Sequence, residues 1–136
     1  MPSYRTVQVQ EFSNDFRKAT EIITVPELPT PAVGNVVVKN HFVGINATDV
    51  NVTNGAYGNT TVPFSCGLEA AGVVVAVGEG VTNVSVNDAV AYQKFGAFAE
   101  YIEVSAVTLH KTPEVSPVMI PLTICGVSAI IALEKA

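Results

Sequence analysis

The stretch Gly67-Leu68-Glu69-Ala70-Ala71-Gly72-Val73-Val74-Val75-Ala76-Val77-Gly78 constrains this chain more than any other. It opens with small residues and one carboxylate, continues as almost purely aliphatic sequence, and stops at Gly78-Glu79-Gly80. A short apolar run bounded by glycines predicts a strand covered on both faces. Glycines early in such a run have no side chain to pack, and they predict a bend or a close approach of two backbones. Glu69 is the anomaly, because a carboxylate carried into a buried strand costs several kcal/mol unless it is paired. The structural expectation is that Glu69 bonds to backbone amides or to a basic residue at the rim of the sheet.

The flanking sequence supplies more strands. Residues 6–12 alternate polar and apolar, residues 19–25 are rich in β-branched side chains, and residues 36–45 read as a long strand. Pro26, Pro29 and Pro31 force an extended connector between the second and third of these. Residues 46–64 are polar and read as loop or short irregular helix, a kind of segment that often carries function. Residues 84–92 and 98–104 predict two further strands, with a turn at Asn87-Asp88 in the first. Residues 109–117 read as a proline-marked connector, and residues 119–136 as the one convincing helix. About seven short strands with regular turns predict a mainly β fold, a closed or nearly closed antiparallel barrel.

Bulk properties narrow the function classes. At 136 residues the chain suffices for one domain, burying roughly 68% of its unfolded surface. With 49% hydrophobic and 14% charged residues it has the composition of a packed core, not of a disordered segment. A net charge of −5 argues against nucleic acid and anionic membrane as partners. No apolar run approaches a membrane span, and Met1-Pro2-Ser3-Tyr4-Arg5 lacks the apolar segment of a secretory signal. The expectation is an intracellular protein, cytoplasmic, with peroxisome and mitochondrion left open. Cys66 and Cys125 are then read as two reduced, buried thiols. The glycosylation tripeptides at Asn46, Asn51, Asn59 and Asn83 are read as chance matches.

Gly67-Leu68-Glu69-Ala70-Ala71-Gly72-Val73-Val74 resembles the Gly-His-Glu-x-x-Gly-x-Val signature of the medium-chain dehydrogenase/reductase superfamily. Upstream, residues 43–51 (Val-Gly-Ile-Asn-Ala-Thr-Asp-Val-Asn) are similar to the loop lining the active site of its quinone oxidoreductases. Downstream, Gly96-Ala97-Phe98-Ala99-Glu100-Tyr101 is similar to the family's Gly-x-Phe-Ala-Glu-Tyr strand. The resemblance covers nearly the whole chain. It implies a GroES-like antiparallel barrel over residues 1–118, the catalytic domain, with residues 119–136 as a helix leading toward a nucleotide-binding domain of the Rossmann type. The phosphate-binding Gly-x-Gly-x-x-Gly turn of that domain is not in the sequence, since Gly78-Glu79-Gly80 continues as Val81-Thr82-Asn83. The 136 residues are therefore read as a piece of a longer enzyme, inactive alone.

The resemblance also implies which chemistry is missing. Zinc-dependent relatives carry a Cys at the place of Asn46 and a His at the place of Leu68, and Cys125 is offset by one position from the third ligand. A catalytic zinc needs three protein ligands, so the expectation is a zinc-free site of the quinone oxidoreductase branch. His41 and His110 are isolated and read as surface residues. What remains is NADPH-dependent reduction of the C=C bond of an enone or quinone, in which the protein orients the reactants and the cofactor supplies the hydride. Asn46 and Tyr57 are the candidate catalytic residues, Asn46 and Ser128 the candidate cofactor contacts, and Asn51 and Tyr57 the candidate substrate-pocket residues. Asp49 and Glu69 are assigned structural roles. The full-length protein could pair as a homodimer.

Plainer readings stand beside these. Asn46 turns the chain, Tyr57 is a half-buried aromatic, and Asp49 bonds backbone amides. Two other functions compete with the reductase: a GroES-like module acting through protein contacts alone, and a secreted glycoprotein β-domain sustained by the tripeptides.

Overall fold

The computed structural model describes residues 2–58 and 61–135. In chain order the elements are β1 (Tyr4–Val9), α1 (Phe16–Ala19), β2 (Thr20–Val25), β3 (Asn35–Gly44), α2 (Ala47–Thr53), β4 (Phe64–Ser65), β5 (Glu69–Val77), β6 (Ala89–Gln93), β7 (Tyr101–Ser105), β8 (Leu109–Lys111) and α3 (Cys125–Lys135). Every strand pairing is antiparallel. One sheet has the order β2-β1-β4 and the other β7-β3-β5-β6-β8. A bridge between Thr6 and Ala99 joins them, reinforced where the Val7 N–H donates to the Phe98 carbonyl at 2.8 Å.

The central position of β5 follows from its sequence. Ala70, Ala71 and Val74 are completely buried; Ala70 and Val74 share a cluster with Val36, Val38, Val90, Tyr92 and Val104 from the other strands of the sheet, and Ala71 packs with Ala91 and Ile120. The Tyr92 hydroxyl donates to Asn40 Oδ1 at 2.7 Å, and Asn40 Nδ2 donates to the carbonyls of Ala97 and Ala99, so the polar tip is satisfied inside the core. Gly72 is the close approach expected from the sequence: a Cβ there would lie 2.1 Å from the Lys39 carbonyl oxygen. The register slips beside it, between Asn40 and Phe42, as a bulge requires. A smaller cluster of Val9, Ala19 and Cys66, flanked by Phe16 and Phe98, fills the space at the smaller sheet.

Several expectations need correction. The strand predicted over 84–92 is confined to Ala89–Gln93, because the Val84–Asp88 segment turns there, with Asn87 at φ 74° and the Asp88 carboxylate accepting from the Ser85 N–H at 2.8 Å. Leu109–Lys111, read as connector, pairs with β6 as an edge strand. The polar segment after β3, read as loop or short irregular helix, needs no correction: it winds into the short helix α2, which buries Asp49 and Thr53. The helix predicted over 119–136 is broken: a 3₁₀ turn at Pro117–Met119 precedes α3, and its last position, Ala136, lies outside the described residues. Ile120 packs against Ala71 and Ala91, so the chain stays attached to the body past residue 118, whereas α3 buries none of its described residues. Cys66 is buried but Cys125 is exposed, which corrects the expectation of two buried thiols. Burial pushes the Cys66 thiol up to about 12, and the nearby Asp49 charge adds to the rise. The glycosylation tripeptide at Asn59 falls outside the described residues.

Candidate active site

Where β3 ends, Gly44 pairs with Glu69 at the start of β5. Any side chain at Gly44 would collide with that carboxylate, since its Cβ would lie 2.3 Å from Glu69 Oε1. The chain then leaves the sheet through Asn46, extended at φ −120° and ψ 152°, and enters α2. Asp49 sits three residues into this turn and closes a capping box: its Oδ2 accepts from the Asn46 backbone N–H at 2.7 Å.

Asn46 and Glu69 meet here. Asn46 Nδ2 donates to Glu69 Oε1 at 3.0 Å, and the Thr123 hydroxyl donates to Glu69 Oε2 at 2.7 Å. Asp49 and Glu69 are 2% and 3% exposed, so both carboxylates are out of solvent. Among the described residues Glu69 bonds neither to backbone amides nor to a basic residue, which corrects the expectation drawn from the sequence. Its partners are a side-chain amide and a hydroxyl. Among the described residues the ion pairs are Arg5 with Glu100 and Lys111 with Asp88, and neither involves this corner. Asp49 Oδ1 is buried without a hydrogen-bond partner. Burial pushes the Asp49 carboxyl above its ordinary range, the Asn46 N–H pulls it back, and the charge of Glu69 adds to the rise.

The other candidates are exposed. Asn51 is exposed on α2. Tyr57 is 61% exposed, more open than a half-buried aromatic, and borders a hollow of about 90 Å³ with Phe12, Val52 and Phe95. Ser128 is exposed on α3, where its hydroxyl donates to the Ile124 carbonyl at 3.0 Å. Among the described residues no hydrogen bond joins Asn51, Tyr57 or Ser128 to the Asn46 corner. Thr123 escaped the sequence reading altogether. A single threonine after Pro121-Leu122 carries no motif, and the only signal was indirect: a buried Glu69 had to find donors. A groove of about 500 Å³ runs between β1 and the end of β3 past Val7, Phe16, Val43 and Phe98, and none of the candidate residues lines it.

Zinc does not fit this donor set. Asn46 turns its amide nitrogen to Glu69, Leu68 has no donor atom, and Cys125 is exposed on α3. His41 and His110 are exposed on separate strands, and among the described residues no three His, Cys, Asp or Glu side chains are grouped to hold a metal. Toward NADPH the chain offers neutral groups of the kind a ribose takes, namely the second amide N–H of Asn46 and the hydroxyl of Ser128 with its remaining lone pairs.

Residues 32–114 match the family model for the alcohol dehydrogenase GroES-like domain. A probable quinone oxidoreductase from Leishmania amazonensis is 38% identical over 134 residues, covering 98% of this chain and 39% of that protein. Prostaglandin reductase-3 from Mus musculus is 37% identical over 136 residues, covering 96% of this chain and 36% of that protein. The chain thus spans well under half the length of these curated relatives. Among solved structures, the Escherichia coli quinone oxidoreductase complexed with NADPH superposes with a TM-score of 0.71 at 28% identity, over 80% of this chain and 33% of that one. Among the described residues no helix is long and apolar enough to cross a membrane.

Proposed function

The chain belongs to the alcohol dehydrogenase GroES-like domain family, and on that premise we propose that it falls in the quinone oxidoreductase group and is the substrate-side domain of an NADPH-dependent, zinc-independent reductase acting on the C=C bond of enones or quinones. The observation that carries the reading is the corner itself: Asn46 stands at the mouth of α2 with its amide anchored on a buried carboxylate, and among the described residues no three His, Cys, Asp or Glu side chains are grouped to hold a metal. Its support comes from the names of the relatives and from the cofactor in the Escherichia coli structure. The body up to about residue 118 then forms the catalytic domain, and α3 leads toward the cofactor domain. We place the protein in the cytoplasm, free to pair as a homodimer.

In such a reaction NADPH supplies the hydride, which adds to the β-carbon, and a proton from solvent completes the α-carbon. Negative charge builds on the carbonyl oxygen in between, and donors aimed at that oxygen accelerate the step. Here the chain's own residues bind and orient. Asn46 keeps one N–H on Glu69 and has a second to offer to the cofactor ribose or the substrate. Tyr57, exposed and beside the hollow near Phe95, offers a hydroxyl and a ring face to the substrate.

Steady-state kinetics on the complete gene product test the reading. NADPH-dependent reduction of a small enone or quinone is expected, and its absence overturns the proposal. Asn46→Ala should lower kcat/KM about tenfold or more, a loss of roughly 1.4 kcal/mol. Tyr57→Phe should cost less, and His41→Ala and His110→Ala should be near neutral. A fully active Asn46→Ala beside a dead histidine variant would move the site elsewhere. Elemental analysis should give far less than one zinc per chain, and a stoichiometric, tightly held zinc would refute zinc independence.

A further inference from the structure

We infer that Thr123 and Glu69 are positioning residues, and that the hydrogen-bonded chain Thr123–Glu69–Asn46 sets the orientation of the Asn46 amide. The inference rests on the reading of this corner as the active site. Three separate segments converge: Asn46 at the start of α2, Glu69 at the start of β5, and Thr123 in the turns before α3. Glu69 is the hub, since each of its two oxygens takes one side-chain donor. The Glu69 oxygen that faces Asn46 accepts, so the Asn46 amide presents its nitrogen inward, and the Thr123 contact on the other oxygen keeps Glu69 in that pose. The backbone of Asn46 is fixed independently by Asp49. Two anchors, one on the main chain and one at the end of the side chain, leave Asn46 little rotational freedom.

Thr123 touches no reacting group and acts through Glu69. Its hydroxyl has one proton and two acceptors within reach, Glu69 Oε2 at 2.7 Å and the Ile120 carbonyl at 2.9 Å. This arrangement separates charge from geometry. A glutamine at 69 can accept from Asn46 with its oxygen and donate to Thr123 with its nitrogen, while Thr123 donates to Ile120 instead. The frame survives without the charge. A valine at 123 does the opposite: it keeps the charge, fills the same volume, and leaves one buried carboxylate oxygen without its donor.

The test compares T123V, T123S and E69Q with the wild type. In the complete gene product T123V should lower kcat about five- to tenfold with KM moved less than twofold, because substrate contacts are untouched and alignment is not. T123S should recover kcat to within about twofold, and E69Q should stay within about threefold of the wild type. In parallel, the side-chain amide pair of Asn46, identified in ¹H–¹⁵N NMR spectra of the 136-residue chain by its disappearance in Asn46→Ala, should shift and exchange faster with water in T123V but not in T123S. An active wild type with T123V indistinguishable from it in both kcat and the Asn46 signals overturns the inference while sparing the functional reading. An E69Q loss of tenfold or more also overturns it, and this arm stands even if T123V fails to fold. A wild type with no reductase activity defeats the functional reading, and the NMR comparison then still decides whether Thr123 orients Asn46.

Discussion

The two ends of the segment Glu69–Val74 within β5 are buried by opposite means. At its Val74 end the chain lies in an aliphatic core, with Val74 at 0% exposure. At the other, Glu69 is almost as deeply buried but is held by two directional hydrogen bonds from neutral side chains. Apolar burial is non-directional and needs only a close fit, and each buried valine stabilises by about 1.5–3 kcal/mol whichever aliphatic neighbour it meets. A buried carboxylate stabilises nothing until its partners are in place, and removing one exposes the full desolvation penalty. The valine end therefore tolerates substitution in proportion to volume. The glutamate end depends on particular atoms, the property an active site requires.

The largest effect should come from the glycine between the two ends. Gly72→Ala places a methyl group 2.1 Å from the Lys39 carbonyl oxygen, a backbone atom that can move only with β3. The cost should be on the order of 3 kcal/mol or more, seen as lost folded yield or a collapsed thermal melt. A stable Gly72→Ala protein would mean that the bulge at Asn40–Phe42 absorbs the strain and that β5 is less rigidly placed than its pairing suggests.

Next come paired substitutions at the two ends. Val74→Ala should cost about 1.5–3 kcal/mol through lost burial, and Asn46→Ala about 1–3 kcal/mol through the unpaired Glu69 oxygen. The similar size hides a difference that a double-mutant cycle separates. Asn46→Ala and Thr123→Val share Glu69, so chemical denaturation should show coupling on the order of 1 kcal/mol. Val74→Ala and Thr123→Val share no partner and should add. Coupling in the second cycle but not the first would dissolve the contrast between the ends.

How much of this was legible beforehand follows the same division. The apolar stretch around Val74 announced a central strand, and Gly72 a close approach, because both are properties of composition and short-range pattern. The turn at Asn87-Asp88 was legible as well, but not that it ends the extended chain before Ala89, since Val84 to Val86 is apolar and β-branched in part yet belongs to no strand. At the site, Glu69 could be recognised as a residue that needs partners, but not which ones. Asn46 is 23 positions away and Thr123 is 54, and no local pattern connects them. Ser128 and Tyr57 were named from the resemblance to the quinone oxidoreductases, and among the described residues no hydrogen bond joins either of them to Asn46.

The smallest effect separates the two buried carboxylates. Glu69 has a donor on each oxygen, whereas Asp49 has one oxygen on the Asn46 N–H and one with none. Burial first, and the Glu69 charge with it, raise the folded-state pKa of Asp49 above its unfolded value, against the opposing Asn46 N–H. A carboxyl with a raised folded pKa binds its proton more tightly when folded. Its contribution to stability is therefore present below the unfolded pKa and is lost as pH rises through the folded one. Asp49→Asn removes this titration while keeping an oxygen for the Asn46 N–H, though it places a new donor where Oδ1 had no partner. The mutant should therefore be less stable than the wild type at pH 4, and the gap should narrow or reverse toward pH 7. Thermal melts of both proteins at several pH values in that range measure the trend. A gap that widens with rising pH would show Asp49 to be stabilised in its charged form, and the corner would then hold two well-satisfied carboxylates instead of one.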